Sequence, residues 1–170
     1  MGRHLDMMAG GGAQRRMFIS NLNEQEAILV GRYETPYDPA DYAAYLAAFA
    51  RVVAAARTER RSVVLIIDIQ DGYPSPNALQ RKNIGEAWAN ATEVTGVIAI
   101  ISGSVFIRGI ITAIEWFLKN SPTRRETRAY ARASDAVLWL ADQSGVTTSE
   151  LHAAIEAVRT RRRAQHATST

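Results

Sequence analysis

The chain alternates between short runs of apolar residues and longer segments in which apolar residues recur every three or four positions. The short runs predict β-strands at 17–22, 27–33, 62–69, 94–101 and 126–131. The longer segments follow the second to fifth runs and predict amphipathic helices. Because parallel neighbours need crossover connections, this order predicts an α/β fold whose mixed, mostly parallel sheet begins with an antiparallel hairpin.

Two of the apolar runs have the character of central strands. The run 62–69 contains five consecutive aliphatic residues without alternation, which is typical of a strand covered on both faces, and 94–101 is similar. In contrast, 126–131 places Arg128 and Tyr130 on one face and alanines on the other, which predicts a strand at or near a sheet edge. We therefore expect 62–69 and 94–101 side by side in the middle of the sheet.

Capping residues set the expected helix boundaries. Asp38 before Pro39 predicts the start of the first helix. A capping box from Thr147 to Glu150 predicts an appended last helix, which Gly145 separates from the preceding one. The caps of the helices between them are predicted at Ser75, Ser104 and Ser134. On the helices that begin at Ser75 and Ser134, Leu79 and Leu138 are expected to face the core.

The two ends of the chain differ from its middle in charge. Residues 1–16 carry a formal charge of +2 and residues 159–170 carry +4, which leaves −3 for the residues between. We assign 1–16 to a disordered leader or cloning remnant, 17–145 to one α/β domain, 146–160 to the appended helix and 161–170 to a disordered basic tail. A nucleic-acid binder carries its basic charge on the folded surface, so we expect no nucleic-acid partner.

The segment from Val94 to Leu118 is long and apolar enough to be considered as a membrane span. However, Ser102 to Ser104 interrupt it, and Arg108 would cost about 2.5 to 3.5 kcal/mol at the centre of a bilayer. We therefore expect no span. The chain has no cysteine, which excludes disulfides and thiolate chemistry and agrees with a cytoplasmic location.

Six local features accompany this order of elements. They are the opening hairpin, a Tyr-Asp-Pro turn at 37–39, a strand ending in Asp68, a Pro-Ser-Pro helix entry at 74–76, a Ser-Val-Phe-Ile-Arg-Gly helix start at 104–109 and a Leu-Trp-Leu helix end at 138–140. Over roughly 17–143 the chain resembles the SpoIIAA-like, or STAS-like, family of small bacterial proteins. The resemblance implies a STAS-like fold and a non-catalytic protein-interaction or regulatory module, with a protein partner or a second copy of itself in a homodimer.

The resemblance also implies a phosphorylation site. In anti-sigma-factor antagonists of the wider family, the phosphorylated serine opens the helix after the central strand and lies in Asp-Ser-Ser or Asp-Ser-Thr followed by Gly. Ser75 has the corresponding place here, but its neighbours differ, since the stretch 71–76 is Asp-Gly-Tyr-Pro-Ser-Pro.

The candidate binding residues lie where the predicted parallel strands end, because ligands of open parallel sheets bind beyond those carboxyl ends. They are Asp68, Asp71, Ser75, Ser102, Ser104 and Arg108. Free N–H groups at the start of the Ser104 helix, with Arg108 one turn later, would suit an anion or a partner carboxylate. The alternative is structural: the serines cap helices, Asp68 accepts from nearby backbone N–H groups, and Arg108 pairs with a local acid.

Groups that usually carry catalysis are scarce, since the three histidines lie in the tails or on the last helix and no nucleotide-binding glycine motif is present. We therefore expect no enzyme, cofactor or metal. One alternative is a domain that binds a small apolar or anionic ligand, which tryptophans on three helices favour. The other is a metal-assisted phosphoryl-transfer enzyme that uses Asp68 and Asp71.

A basic cluster lies near the predicted edge strand, at Arg124, Arg125, Arg128 and Arg132. Charge at a sheet edge usually prevents strand-to-strand aggregation, and we favour that role. A site for an acidic partner is the alternative. The tryptophans, at 88, 116 and 139, are expected in the core for the area that they bury.

Overall fold

A five-stranded mixed sheet organises the chain. The computed structural model describes residues 18–36, 38–91, 93–109 and 125–167. Its strands are β1 (Phe18–Asn23), β2 (Ile28–Tyr33), β3 (Val63–Ile69), β4 (Gly96–Ser102) and β5 (Arg125–Tyr130). Its helices are α1 (Ala40–Glu59), α2 (Ala78–Ala89), α3 (described over 105–109), α4 (Ala133–Ser144) and α5 (Thr148–Ala167).

The strands lie in the order β1-β2-β3-β4-β5. β1 and β2 form the antiparallel hairpin, and every later pair is parallel. β3 lies in the middle with β4 as its neighbour, and β5 is an edge strand. The α/β class, the opening hairpin and the two adjacent central strands are therefore confirmed.

Helices cover both faces of the sheet. Alternate strand residues such as Leu29 and Leu65 pack against α1 and α2, whereas Val30 and Ile66 pack against α4 and α5. α5 was expected to be an appendage, but it lies directly on β1 and β2 and completes the second core. It also continues to Ala167, so residues 161–167, which we assigned to a disordered tail, are helical.

The last helix begins with the predicted cap. The first begins at Ala40 with Pro39 at the N-cap position and no side-chain cap from that residue, and the predicted Asp38 lies one residue earlier. The Oδ1 atom of Asp38 accepts a hydrogen bond from the Ala40 N–H at 2.8 Å. In the capping box of α5, Glu150 N–H donates to Thr147 Oγ1 at 3.2 Å, and Thr147 N–H donates to Glu150 Oε2 at 3.0 Å. Gly145 ends α4 with a φ of +74°, a left-handed conformation that favours glycine.

Two other helix starts were predicted wrongly. Asn77 caps α2 in a reciprocal capping box with Gln80, so the helix begins at Ala78 and Ser75 lies in the preceding loop. α4 begins at Ala133 without a side-chain cap, and Ser134 is inside its first turn. The expected core residues Leu79 and Leu138 are each 65% exposed.

Some predictions fall on parts of the chain that are not described. They concern the leader at 1–16, the third helix beyond 109, Trp116 and Arg124. Among the helices that the structure describes, none is long and apolar enough to cross a membrane.

Candidate functional site

The candidate residues lie at or just beyond the carboxyl ends of β3 and β4, which we call the carboxyl edge of the sheet. Because β3 and β4 are parallel neighbours, the two loops leave the sheet side by side. The loops also touch: a Cβ atom placed on Gly103 would lie 2.7 Å from Asp71 Oδ2. The structure therefore brings the Asp71 turn together with Ser102 and Ser104, as the sequence indicated.

Asp68 belongs to an ion cluster on the α5 side of the sheet. Arg32 stands directly opposite Asp68 in the parallel register of β2 and β3, and its Nη1 atom donates to Asp68 Oδ2. The Nε atom of the same guanidinium donates to Glu34 Oε1 at 2.5 Å. The Glu34 side chain is only 1% exposed, and those of Asp68 and Arg32 are 17% and 21% exposed. The expected backbone partners of Asp68 are thus replaced by a guanidinium that sequence reasoning missed.

Arg32 stays protonated in this cluster, and the cavity beside it is too small for a ligand. Burial acts to lower the pKa of Arg32, but its hydrogen bond to Glu34 and the charges of Asp68 and Glu34 outweigh that effect and raise it. A cavity of about 10 Å³ lies between the cluster and α5 and is lined by Arg32, Asp68, Ile155 and Arg159 among others. This volume suits about one water molecule and is far below that of a small-molecule site.

The polar groups that follow β4 bond to the protein itself. Ser102 is 1% exposed, and its Oγ accepts from the Ser104 N–H at 3.2 Å. Ser104 Oγ accepts from the Ile107 N–H at 3.3 Å, which is the predicted capping role. Arg108 Nη1 donates to the carbonyl oxygens of Ser102 and Gly103 at 2.7 and 2.8 Å. Ser104 thus has the structural role of a helix cap, and Ser102 bonds to the backbone of the same turn. For Arg108, the structural alternative predicted an acidic partner, and the structure shows two carbonyl partners.

The segment after β3 is a turn followed by an open loop. Tyr73 N–H donates to the Gln70 carbonyl at 3.1 Å, and Gly72 at the corner has a φ of +85°. The Tyr73 ring turns inward, where its hydroxyl donates to Asp41 Oδ2 at 3.1 Å. Ser75 is exposed in the loop before the Asn77 cap.

Large apolar side chains remain exposed at the same edge. Val105 and Phe106 open α3 and are 75% and 72% exposed, and Leu79 in the first turn of α2 is 65% exposed. We call Leu79, Val105 and Phe106 the edge patch. The sequence contained a signal for it, because Val105 and Phe106 directly follow the Ser104 cap and precede Ile107, Ile110 and Ile111, which recur at helical spacing.

The predicted arginine cluster near β5 is divided between the two faces. Arg125 lies 4.7 Å from the Trp88 ring centre and donates to the carbonyl oxygens of Trp88 and Ala91 at 2.7 and 2.5 Å. Burial lowers the pKa of this arginine. Arg128 lies on the opposite face, 5.1 Å from the Trp139 ring centre. Trp139 is therefore buried as expected, whereas Trp88 is only partly buried and packs against the edge of the core.

The two aspartates that the phosphoryl-transfer alternative requires have different partners. The Asp68 carboxylate bonds to Arg32, whereas the Asp71 carboxylate lies against Gly103. Within the described parts of the chain, no three His, Cys, Asp or Glu side chains are grouped to hold a metal ion. The two aspartates thus have separate surroundings.

Comparison with known proteins gives the chain no family assignment. No protein-family model, curated protein or solved structure matches it. The resemblance to the SpoIIAA-like family stays a prediction from element order and local sequence, and the function has to be argued from the described residues.

Proposed function

We propose that this chain is a non-catalytic, STAS-like interaction module that docks a protein partner on the edge patch. The observation that carries the proposal is the contrast at the carboxyl edge. Four of the six candidate polar side chains, those of Asp68, Ser102, Ser104 and Arg108, are bonded to the protein's own groups, whereas Val105 and Phe106 are about three-quarters exposed.

Energetics supports docking on these side chains. Full burial of a Val, Leu or Phe side chain is worth roughly 1.5 to 3 kcal/mol, and most of that gain is still available to the residues of the edge patch. Exposed single apolar residues are common, but contiguous ones with polar neighbours are typical of interaction sites, and Val105 and Phe106 are adjacent. Ser75 lies in the loop that leads to Leu79, so phosphorylation there would add negative charge close to the docking surface.

The test uses a photo-crosslinking amino acid at position 106 of the full chain, with position 138 as the matched control. Leu138 on α4 is as exposed as Leu79 but lies outside the edge patch. We expect a discrete protein adduct from 106 that Val105→Asp abolishes, and none from 138. Equal adducts from both positions, or an adduct that Val105→Asp leaves unchanged, would contradict the proposal.

Light scattering on the same proteins identifies the kind of partner. If Phe106→Asp converts a dimer into a monomer and Leu138→Asp does not, the partner is a second copy. If both variants match the parent chain in mass while the crosslink from 106 persists in the parent, the partner is a different protein.

A further inference from the structure

We infer that two copies of this chain associate along the outer sides of their β5 strands, which pair antiparallel about a two-fold axis at Thr127. The two five-stranded sheets then form one continuous sheet of ten strands. This association is independent of the edge patch, because it uses the length of β5 and none of the residues at the carboxyl edge. Two features support it, namely the position of β5 in the sheet and the order of charges along the strand.

β5 lies at the end of the sheet. It pairs with β4 on its inner side, and the described parts of the chain place no strand on its outer side. The other end of the sheet differs, because α5 lies on β1 and Arg161 donates to the Ser20 carbonyl there. The backbone N–H and C=O groups on the outer side of an end strand form a template on which another strand can pair. β5 therefore provides the end at which the sheet can be extended.

The charged side chains of β5 point to different faces of the sheet. Glu126 and Arg128 lie on the face that α4 covers, where Arg128 is 5.1 Å from the Trp139 ring centre. Arg125 lies on the opposite face, and its guanidinium donates to two carbonyl oxygens in α2 and just after it. Within β5, a strand added on the α4 face would thus meet one carboxylate and one guanidinium.

An antiparallel pairing centred on Thr127 is complementary in charge. It places Glu126 of each copy opposite Arg128 of the other, once on each side of the two-fold axis. Registers centred on Glu126 or on Arg128 would instead place two like charges directly opposite each other, which is unfavourable. A register centred between two residues would bring opposite faces of the two sheets together. The charges of β5 therefore favour the register centred on Thr127.

The pair that Glu126 and Arg128 form within one strand is compatible with this arrangement. It spans 3.8 Å, and the two side chains are 57% and 55% exposed. Exposed pairs of this kind are weak. In the two-fold pairing, each carboxylate lies between the guanidinium of its own strand and that of the other copy, so both contacts form together. Charge at the end of a sheet usually prevents pairing, but here it excludes the other registers and leaves this one open.

An extended segment of a different protein is the competing occupant, since it could add to β5 in the same way. A second copy is favoured because β5 already carries both members of the charge pair in the order that a two-fold axis requires. A different protein would have to supply a matching sequence of its own.

The association leaves both edge patches accessible. The carboxyl ends of antiparallel strands point in opposite directions, so the edge patches of the two copies lie at opposite ends of the strands. A dimer of this form would hold two partner molecules, one at each end.

The test measures the mass of the full chain by sedimentation equilibrium, and we expect a dimer. Glu126→Arg and Arg128→Glu each place like charges opposite each other, and each should weaken the dimer about tenfold or more. A mixture of the two variants should form a heterodimer, because one strand then carries two cations and the other two carboxylates. The double variant Glu126→Arg/Arg128→Glu exchanges the charges and should associate like the parent chain, which also controls for folding.

Single cysteines test the register, because the chain has no cysteine of its own. Thr127→Cys places two thiols at the two-fold axis, within reach of a disulfide. Ala129→Cys is the matched control on the same face of the same strand. Its two thiols would be four residues apart along the strands, or about 14 Å, which a disulfide cannot span. We expect oxidation to crosslink the variant at 127 and not the variant at 129.

Each outcome bears on the association through β5. A monomeric parent chain, a dimer that both single charge variants leave unchanged, or crosslinking at 129 and not at 127 would overturn it. Phe106→Asp separates the association from the proposed function, because this variant should remain a dimer. If Phe106→Asp dissociates the dimer and the charge variants do not, the second copy binds the edge patch, which overturns the association through β5 and keeps the interaction function.

Discussion

Replacing Arg32 tests whether the cluster around Asp68 belongs to the framework of the protein. The substitution Arg32→Met keeps much of the side-chain length but removes the guanidinium that lies between Asp68 and Glu34. Both carboxylates then lose their shared cation. Glu34, at 1% exposure, has little access to water as a replacement.

The size of the loss follows from burial. Breaking a buried ion pair by removing one partner costs about 3 to 5 kcal/mol, whereas exposed pairs are worth about 0.2 to 1 kcal/mol. Arg32 and Asp68 keep 21% and 17% of their side-chain exposure, so water can reach part of the cluster. We therefore expect Arg32→Met to lower the free energy of unfolding by about 3 kcal/mol.

Urea unfolding followed by circular dichroism measures this loss. With a slope of about 2 kcal/mol per molar urea, the midpoint should fall by about 1.5 M. Arg51→Met is the matched control, because the Arg51–Glu24 pair is equally close at 2.6 Å but 68% and 56% exposed, and should cost less than about 1 kcal/mol. Adding Glu34→Gln and Asp68→Asn to Arg32→Met should restore part of the stability. Equal, small losses for Arg32→Met and Arg51→Met would refute the argument.

Three further substitutions have defined outcomes. Asp41→Asn weakens an acceptor that the Phe18 N–H and the Tyr73 hydroxyl share, and should cost about 1 to 3 kcal/mol in urea unfolding. Thr147→Ala removes the cap of α5 and should cost about 1 kcal/mol, with an unchanged midpoint contradicting that role. Burial raises the pKa of Tyr45 to about 12, so the folded state retains a proton that the unfolded chain releases near pH 10, and stability should fall between about pH 10 and 12. Tyr45→Phe should flatten that fall in an alkaline denaturation series.

The sheet could be predicted because its strands are set by local pattern. The unbroken aliphatic run of β3 can be buried on both faces only if helices cover both faces of the sheet. The order of the elements predicted enough helices to do so. The edge position of β5 followed from its alternation of charged and small residues. The length of α5 could not be predicted, because the arginines that suggested a frayed tail are compatible with a helix once Arg161 bonds to β1.

Helix starts were harder to predict because several residues competed for the same role. Ser75 before a proline has the form of a cap, but Asn77 and Gln80 satisfy two backbone N–H groups reciprocally and so fix the start two residues later. The spacing of Asn77 and Gln80 was visible in the sequence. The predicted start was therefore two residues too early, and Leu79 lies in the first turn of the helix.

The cluster around Asp68 was missed because it depends on the register between two strands, and its facing residues Arg32 and Asp68 are 36 positions apart in the sequence. Arg32 and Asp68 are each the last residue but one of their strands. Aligning the two predicted strand ends would have placed them opposite each other. The sequence therefore indicated the Arg32–Asp68 pair only through the alignment of the two strands, and neither strand indicated it alone.

At the carboxyl edge, several polar side chains bond to the protein itself, whereas apolar side chains are exposed to solvent. An open parallel sheet normally presents polar side chains at this edge to a ligand, but here they close the strand ends: Arg108 covers two carbonyl oxygens and Arg32 bridges two carboxylates. A reacting group at this edge would have to break those bonds, each at a cost of about 1.5 to 3 kcal/mol. A docking segment needs only to cover Phe106 and its neighbours, which gains free energy without disturbing any of these contacts. This difference in cost supports the proposal that the edge holds a partner.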